Sequence, residues 1–114
     1  MPHIETPEEA EAYRKLLAMP FRMVVEEAFV VKGHGLIVVG QTKTGTLQKG
    51  TEILIEGENF SISTTVTRID RPFNHDPDLK AEPDLYAGLV LRNLDETYKE
   101  KIKPGMIITK REDI

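Results

Sequence analysis

Glycines at positions 33, 35, 40, 45 and 50 punctuate two apolar runs, FRMVVEEAFVV and GLIVVGQTK, and lead into KTGTLQKGTEILI. Few folds call for that combination. β-Branched residues fill a pleated core face, while closely spaced glycines turn the chain where other residues would be strained. The pattern predicts a mainly β protein whose short antiparallel strands, about six of them, curve into a small β-barrel.

The strand phase can be followed residue by residue. Phe21, Met23 and Val25 alternate, then Ala28 and Val30, so Glu26-Glu27 shifts the phase as a β-bulge does. Gly33-His34-Gly35 is the expected first turn, Leu36 to Lys43 the second strand, and Thr44-Gly45-Thr46 a turn with Gly45 at positive φ. Lys49-Gly50 turns the chain again. Glu52 to Glu56, Ser61 to Phe73, Leu85 to Leu94 and Met106 to Thr109 complete the strands.

Before the sheet, Thr6-Pro7-Glu8-Glu9 joins an N-cap hydroxyl, proline at the first helical position and an acid at the third, which predicts a helix start. Ala10, Tyr13, Leu16 and Leu17 give it an apolar face, and Pro20 ends it after Met19. Acids near its N-terminal end and Arg14 and Lys15 farther along suit the helix dipole. The expected organisation is thus a helical extension over residues 1–20, docked on a barrel over residues 21–114.

With 114 residues and no cysteine, the chain fits one domain stabilised by packing alone, without disulfides or thiolate metal sites. The N-terminus has no basic segment followed by an apolar run, and no stretch approaches the roughly 20 apolar residues that span a bilayer, so a cytoplasmic location is expected. Net charge is −4. A protein with no basic surplus binds bulk nucleic acid weakly, because that affinity comes from cations displacing condensed counterions. Lys99, Lys101, Lys103, Lys110 and Arg111 form the single basic cluster, interrupted by Glu100, and read as a solvated face.

Residues 74–84, NHDPDLKAEPD, carry two prolines and cannot sustain a central strand, so they form a loop. At this length the loop is expected to be either mobile or partner-binding, and its acids Asp76, Asp78, Glu82 and Asp84 are the candidates for partner binding. They lack the glycine and terminal glutamate of a calcium loop, and no metal is expected there. His3, His34 and His75 are far apart, Ser61 and Ser63 lack nucleophile-elbow glycines, and the carboxylates are scattered. Neither an enzymatic role nor a cofactor is expected.

The ordered set Glu26-Glu27-Ala28-Phe29, Gly33-His34-Gly35, Gly40, Gly45-Thr46-Leu47 and Lys49-Gly50 resembles the opening of the second domain of elongation factor Tu and related translational GTPases. Thr64 to Phe73, Gly88-Leu89-Val90-Leu91-Arg92 and Lys103-Pro104-Gly105-Met106-Ile107 resemble that domain's later strands. The likeness covers nearly everything after Met19. It implies the family's second-domain barrel, but the chain has no GxxxxGK[ST] phosphate loop, so neither a bound nucleotide nor GTP hydrolysis is expected. His34 stands where the family has arginine and Pro104 where it has a basic residue, so contacts of those bases to tRNA phosphates do not carry over.

In the full factors this barrel accommodates the aminoacyl end of tRNA, and related barrels touch ribosomal RNA. Carried over by position, the resemblance implies an RNA site at Glu26, Glu27, Val31, Ile37 and Arg92, where acids and apolar groups can bind a terminal base through its edges and faces. Read plainly, the same residues are two surface acids at a bulge and two core aliphatics. Two function classes follow: a free-standing translation-factor-like barrel binding tRNA or the ribosome, or a protein-binding adaptor using the helix, the acidic loop or an exposed sheet edge.

Overall fold

The computed structural model describes residues 6–71, 74, 76, 78–92, 94 and 96–113. Helix α1 (Pro7–Ala18) precedes strands β1 (Arg22–Val31), β2 (Gly35–Thr44), β3 (Glu52–Glu56), β4 (Ser61–Asp70) and β5 (Tyr86–Leu91), a one-turn helix α2 (Glu96–Lys99) and strand β6 (Ile107–Lys110). All strand pairs are antiparallel, and the order β1-β2-β5-β4-β3-β6 closes on itself because β6 pairs with both β3 and β1. The barrel expected from the glycine pattern is therefore present. None of these strands is left at an edge, so the exposed sheet edge expected as a contact surface is not found among the described residues.

The β1–β2 register slips between Val25 and Glu27, which pair with Gly40 and Val39, leaving Glu26 as the extra residue of the bulge. Gly40 leaves no room for a side chain: a Cβ there would lie 2.3 Å from the Val24 carbonyl oxygen. Gly45 has φ +70°, and a Cβ would meet the Phe21 backbone at 2.6 Å. Only glycine satisfies both conditions.

Phe21, Met23 and Val25 point inward with Leu36 and Val38, Ile53 and Ile55, Val66, Leu89 and Ile108, all at most 1% exposed. Leu47 and Ala81 close the end of the barrel where β2 finishes, exchanging backbone hydrogen bonds of 3.1 and 2.9 Å. Leu94 and Ile102 join the same core from the segment after β5. Thr42 also points inward, and its hydroxyl is buried with no hydrogen-bond partner. Thr42→Val keeps the shape and removes that uncompensated group, so it should stabilise the barrel by about 1 kcal/mol, seen as a higher urea midpoint at unchanged slope.

Several strand boundaries differ from expectation: β2 is one residue longer at each end and β5 begins one residue later. β4 stops at Asp70, just before Arg71 and a proline with no N–H to give a ladder; Phe73 lies outside the described residues. β5 stops at Leu91, freeing Leu94 to enter the core, and β6 is displaced by one residue. The loop is also better anchored than its composition implies, since Leu79, Ala81 and Pro83 are buried at every second position.

Thr6 caps α1, its hydroxyl accepting from the Glu9 N–H at 3.2 Å. None of the helix residues is buried. The barrel holds its C-terminal end: Gly45 N–H donates to the Leu16 carbonyl at 2.7 Å, and the Thr44 hydroxyl to the Pro20 carbonyl at 2.7 Å. No helix among the described residues is long and apolar enough to cross a membrane.

Candidate functional site

Directly paired residues in an antiparallel ladder project to the same face, so the register shows what the barrel presents outside. One outward row runs Glu27 (β1), Val39 (β2), Gly88 (β5), Asp70 (β4); the next runs Phe29, Ile37, Val90, Arg68. Large apolar side chains thus cover the outer surface of three adjacent strands. Ile37 and Val90 are only 7% and 5% exposed, yet neither belongs to the core cluster. They are buried by their neighbours on the outer side of the sheet, so Ile37 is buried, as the plain reading has it, but not within the barrel's central cluster.

At the centre of this face Gly88 contributes no side chain, and a hollow of about 320 Å³ lies over it. Phe29, Ile37, Val39, Tyr86 and Ala87 line it, with Asp70 and Arg71 as its charged groups. A Cβ on Gly88 would stand 3.3 Å from Ile37 Cγ2, so even a methyl group would occupy the floor. Its apolar walls suit the face of a flat or aliphatic group, and Asp70 supplies a hydrogen-bond acceptor.

The charged side is ordered by a fork-shaped pair. Arg68 Nε and Nη2 donate to the two Asp70 carboxylate oxygens at 2.8 and 2.9 Å, and Arg68 Nη1 lies 3.3 Å from His34 Nδ1. Hydrogen bonding to Asp70, opposed by slight burial and aided by Coulombic attraction, holds the Arg68 pKa above its ordinary value. The pair fixes the orientation of the Asp70 carboxylate. Beyond it, Arg71 lies 4.0 Å from Glu82. A second hollow of about 320 Å³, lined by Arg71, Asn74, Leu85 and Tyr86, adjoins the first.

Of the residues expected to form an RNA site, Glu27, Val31 and Ile37 belong to this outer face by register, Val31 two positions beyond Phe29 and opposite Gly35. Glu26 stands beside them as the bulge residue and is exposed. Arg92 follows Gly88 and Val90 in alternation but falls past the end of β5, where its backbone bonds Thr65 and Thr64. Phe29, Val39, Asp70, Arg71, Tyr86 and Gly88 complete the site without having been expected in it. Their signal exists in β1, β2 and β5, where bulky apolar residues occupy both alternating sets of positions; the end of β4 carries none.

The four loop acids do not converge. Asp78 lies 3.3 Å from Lys49 and donates its N–H to the Asp76 carboxylate at 2.9 Å, while Glu82 faces Arg71. Asp84 occupies the left-handed region at φ 68°, with its N–H on the Thr42 carbonyl and its own carbonyl accepting from the Gln41 amide. These acids shape turns. The basic cluster is dispersed as well: Lys101 stands over the Tyr98 ring at 5.4 Å, whereas Arg111 reaches Glu52 at 3.5 Å. Among the described residues no group of three or more acids or histidines is placed to hold a metal ion. No protein-family model matches the chain.

Proposed function

We propose that this chain is a non-catalytic binding barrel of the translation-factor kind, and that its outer-face hollow takes the unpaired end of an RNA such as tRNA. The observation that carries the reading is the apolar hollow over Gly88, walled by Phe29, Ile37 and Val39 and flanked by an Asp70 carboxylate held in place by Arg68. Splayed-out bases are recognised by this chemistry, with apolar packing on the face and hydrogen bonds at the edge. Such a site works on a chain of net charge −4, because it draws little on counterion release. The resemblance of the Glu26-to-Gly50 segment to the second domain of elongation factor Tu adds the biological setting. The dispersal of the four loop acids leaves the protein-adaptor reading less to stand on.

The test is titration of isotope-labelled protein with deacylated tRNA and with the same tRNA shortened by its terminal nucleotide. Amide shifts at Phe29, Ile37, Val39 and Gly88 are expected with the intact RNA and not with the shortened one. Affinity should fall only about threefold between 50 and 200 mM salt, as for about one neutralised phosphate. Val39→Glu places a second carboxylate beside Glu27 at a half-buried position and should weaken binding about tenfold or more, like charge repelling the RNA at close range. Equal responses to both RNAs, or none at low salt, refute the reading.

A further inference from the structure

Helix α1 is 12 residues long, and a helix of that length is marginal in water unless packing covers its apolar face. The barrel buries none of it. Its backbone is fastened to the barrel at the C-terminal end, through the Leu16 and Pro20 carbonyls, and no residue along it is buried. Ala10, Tyr13, Leu16 and Leu17 are half-buried while the rest of the helix is exposed, so a narrow apolar stripe at helical spacing reaches the surface. The molecule measures 46 Å along its length against 30 and 22 Å across, as suits a helix that extends past the barrel rather than lying along it.

Charge along α1 is divided by position. Glu8, Glu9 and Glu11 occupy the first half, Arg14 and Lys15 the second. The Glu11–Lys15 contact within the helix competes little with outside partners, at 3.8 Å between side chains 65% and 75% exposed. Such a surface is complementary to itself turned end for end: acids meet bases, apolar stripe meets apolar stripe, and the helix dipoles oppose. Side by side in the same direction, two copies would set like charges together.

We propose that α1 is a self-association surface, on which a second copy of this chain lays its own α1 antiparallel about a two-fold axis. The inference does not rest on the RNA reading. Two-fold pairing is the commonest closed arrangement of identical chains, and it requires only that one patch be self-complementary. Because each helix is tied to its barrel at the C-terminal end, antiparallel pairing places the barrels at opposite ends and lets the helices meet along their length. Two helices this short make a contact well below the roughly 1,200 Å² of a standard interface, so the dimer is weak, dissociating on the order of 10–100 μM.

The experiment is sedimentation equilibrium of the full chain from about 5 to about 500 μM, with amide spectra over the same range. A monomer–dimer equilibrium is expected, with concentration-dependent shifts at Ala10, Arg14 and Leu17 and none at core positions such as Ile55 and Leu89. Leu17→Glu should weaken association about tenfold or more, while an unchanged urea midpoint in dilute sample shows that the barrel still folds. Arg14→Glu combined with Lys15→Glu, both exposed, should weaken association to a similar degree of about tenfold. Salt separates the orientations: going from about 50 to about 500 mM screens attraction and should weaken an antiparallel pair about threefold, whereas a parallel pair would tighten. A chain that stays monomeric throughout, a Leu17 or double-charge variant that associates like the parent, or association that strengthens with salt overturns the inference.

Discussion

Gly40→Ala should lower the free energy of unfolding by about 3 kcal/mol or more, since overpacking against backbone has no side chain to yield. The new Cβ would sit 2.3 Å from the Val24 carbonyl oxygen and 3.1 Å from its carbon, with Met23 Cγ at 3.0 Å. β2 cannot step aside, because Gly40 is paired with Val25 on one flank and Ala87 on the other. A lower urea midpoint is the readout. Gly50→Ala provides the comparison: Gly50 has φ +86°, but a Cβ at that position would meet no atom within 4 Å, so that change should cost only about 1–2 kcal/mol of left-handed strain. Equal midpoints for the two variants would show that steric contact between β1 and β2 is not what position 40 is selected for.

Phe21→Ala should be of similar size, about 3–5 kcal/mol for emptying a buried aromatic site. Phe21 is 1% exposed and packs inside the barrel mouth, against the turn at Gly45 that also holds the end of α1. For a chain of this length the expected loss in melting temperature is roughly 15 °C. Met19→Ala, two residues earlier at a side chain 49% exposed, should change stability by no more than about 0.5 kcal/mol. A Phe21 variant melting with the Met19 variant would mean that the cavity refills and that the core does not depend on this ring.

Much of the barrel is legible in the sequence because its constraints are local. A residue pair such as Glu26-Glu27 disturbs an alternation visible within ten positions, and the bulge falls there; Gly45 sits at positive φ in the turn its flanking residues imply; Glu52–Glu56 has the boundaries expected of it. Where local reading fails, a residue's role is set from afar. Leu94 continues the apolar character of β5 and reads as strand, but the core has room for it beyond the strand's end. Leu79, Ala81 and Pro83 lie in a segment that reads as an acidic, proline-broken loop, yet Leu47 provides a pairing partner for Ala81 from far earlier in the chain.

The site is less legible for the same reason. Glu27, Val31 and Ile37 are within reach, because one hairpin brings them together. Asp70, Tyr86 and Gly88 come to the same face through the β2–β5 pairing, which joins strands distant in sequence, and the β4–β5 pairing, whose register is set across a long loop. Gly88 carries no periodic signal at all. Its importance lies in the side chain it lacks, which only the surrounding ring of Phe29, Ile37 and Val39 makes meaningful.

Closure has a temporal consequence. β6 fills the gap between β1 and β3, so the seam joins residues 22–24 to residues 107–109, made at opposite ends of the barrel's synthesis. Until residues 107–110 are in place, β1 and β3 each lack one neighbour and offer unpaired amides and carbonyls to any passing strand. Docking of β6 removes that exposure.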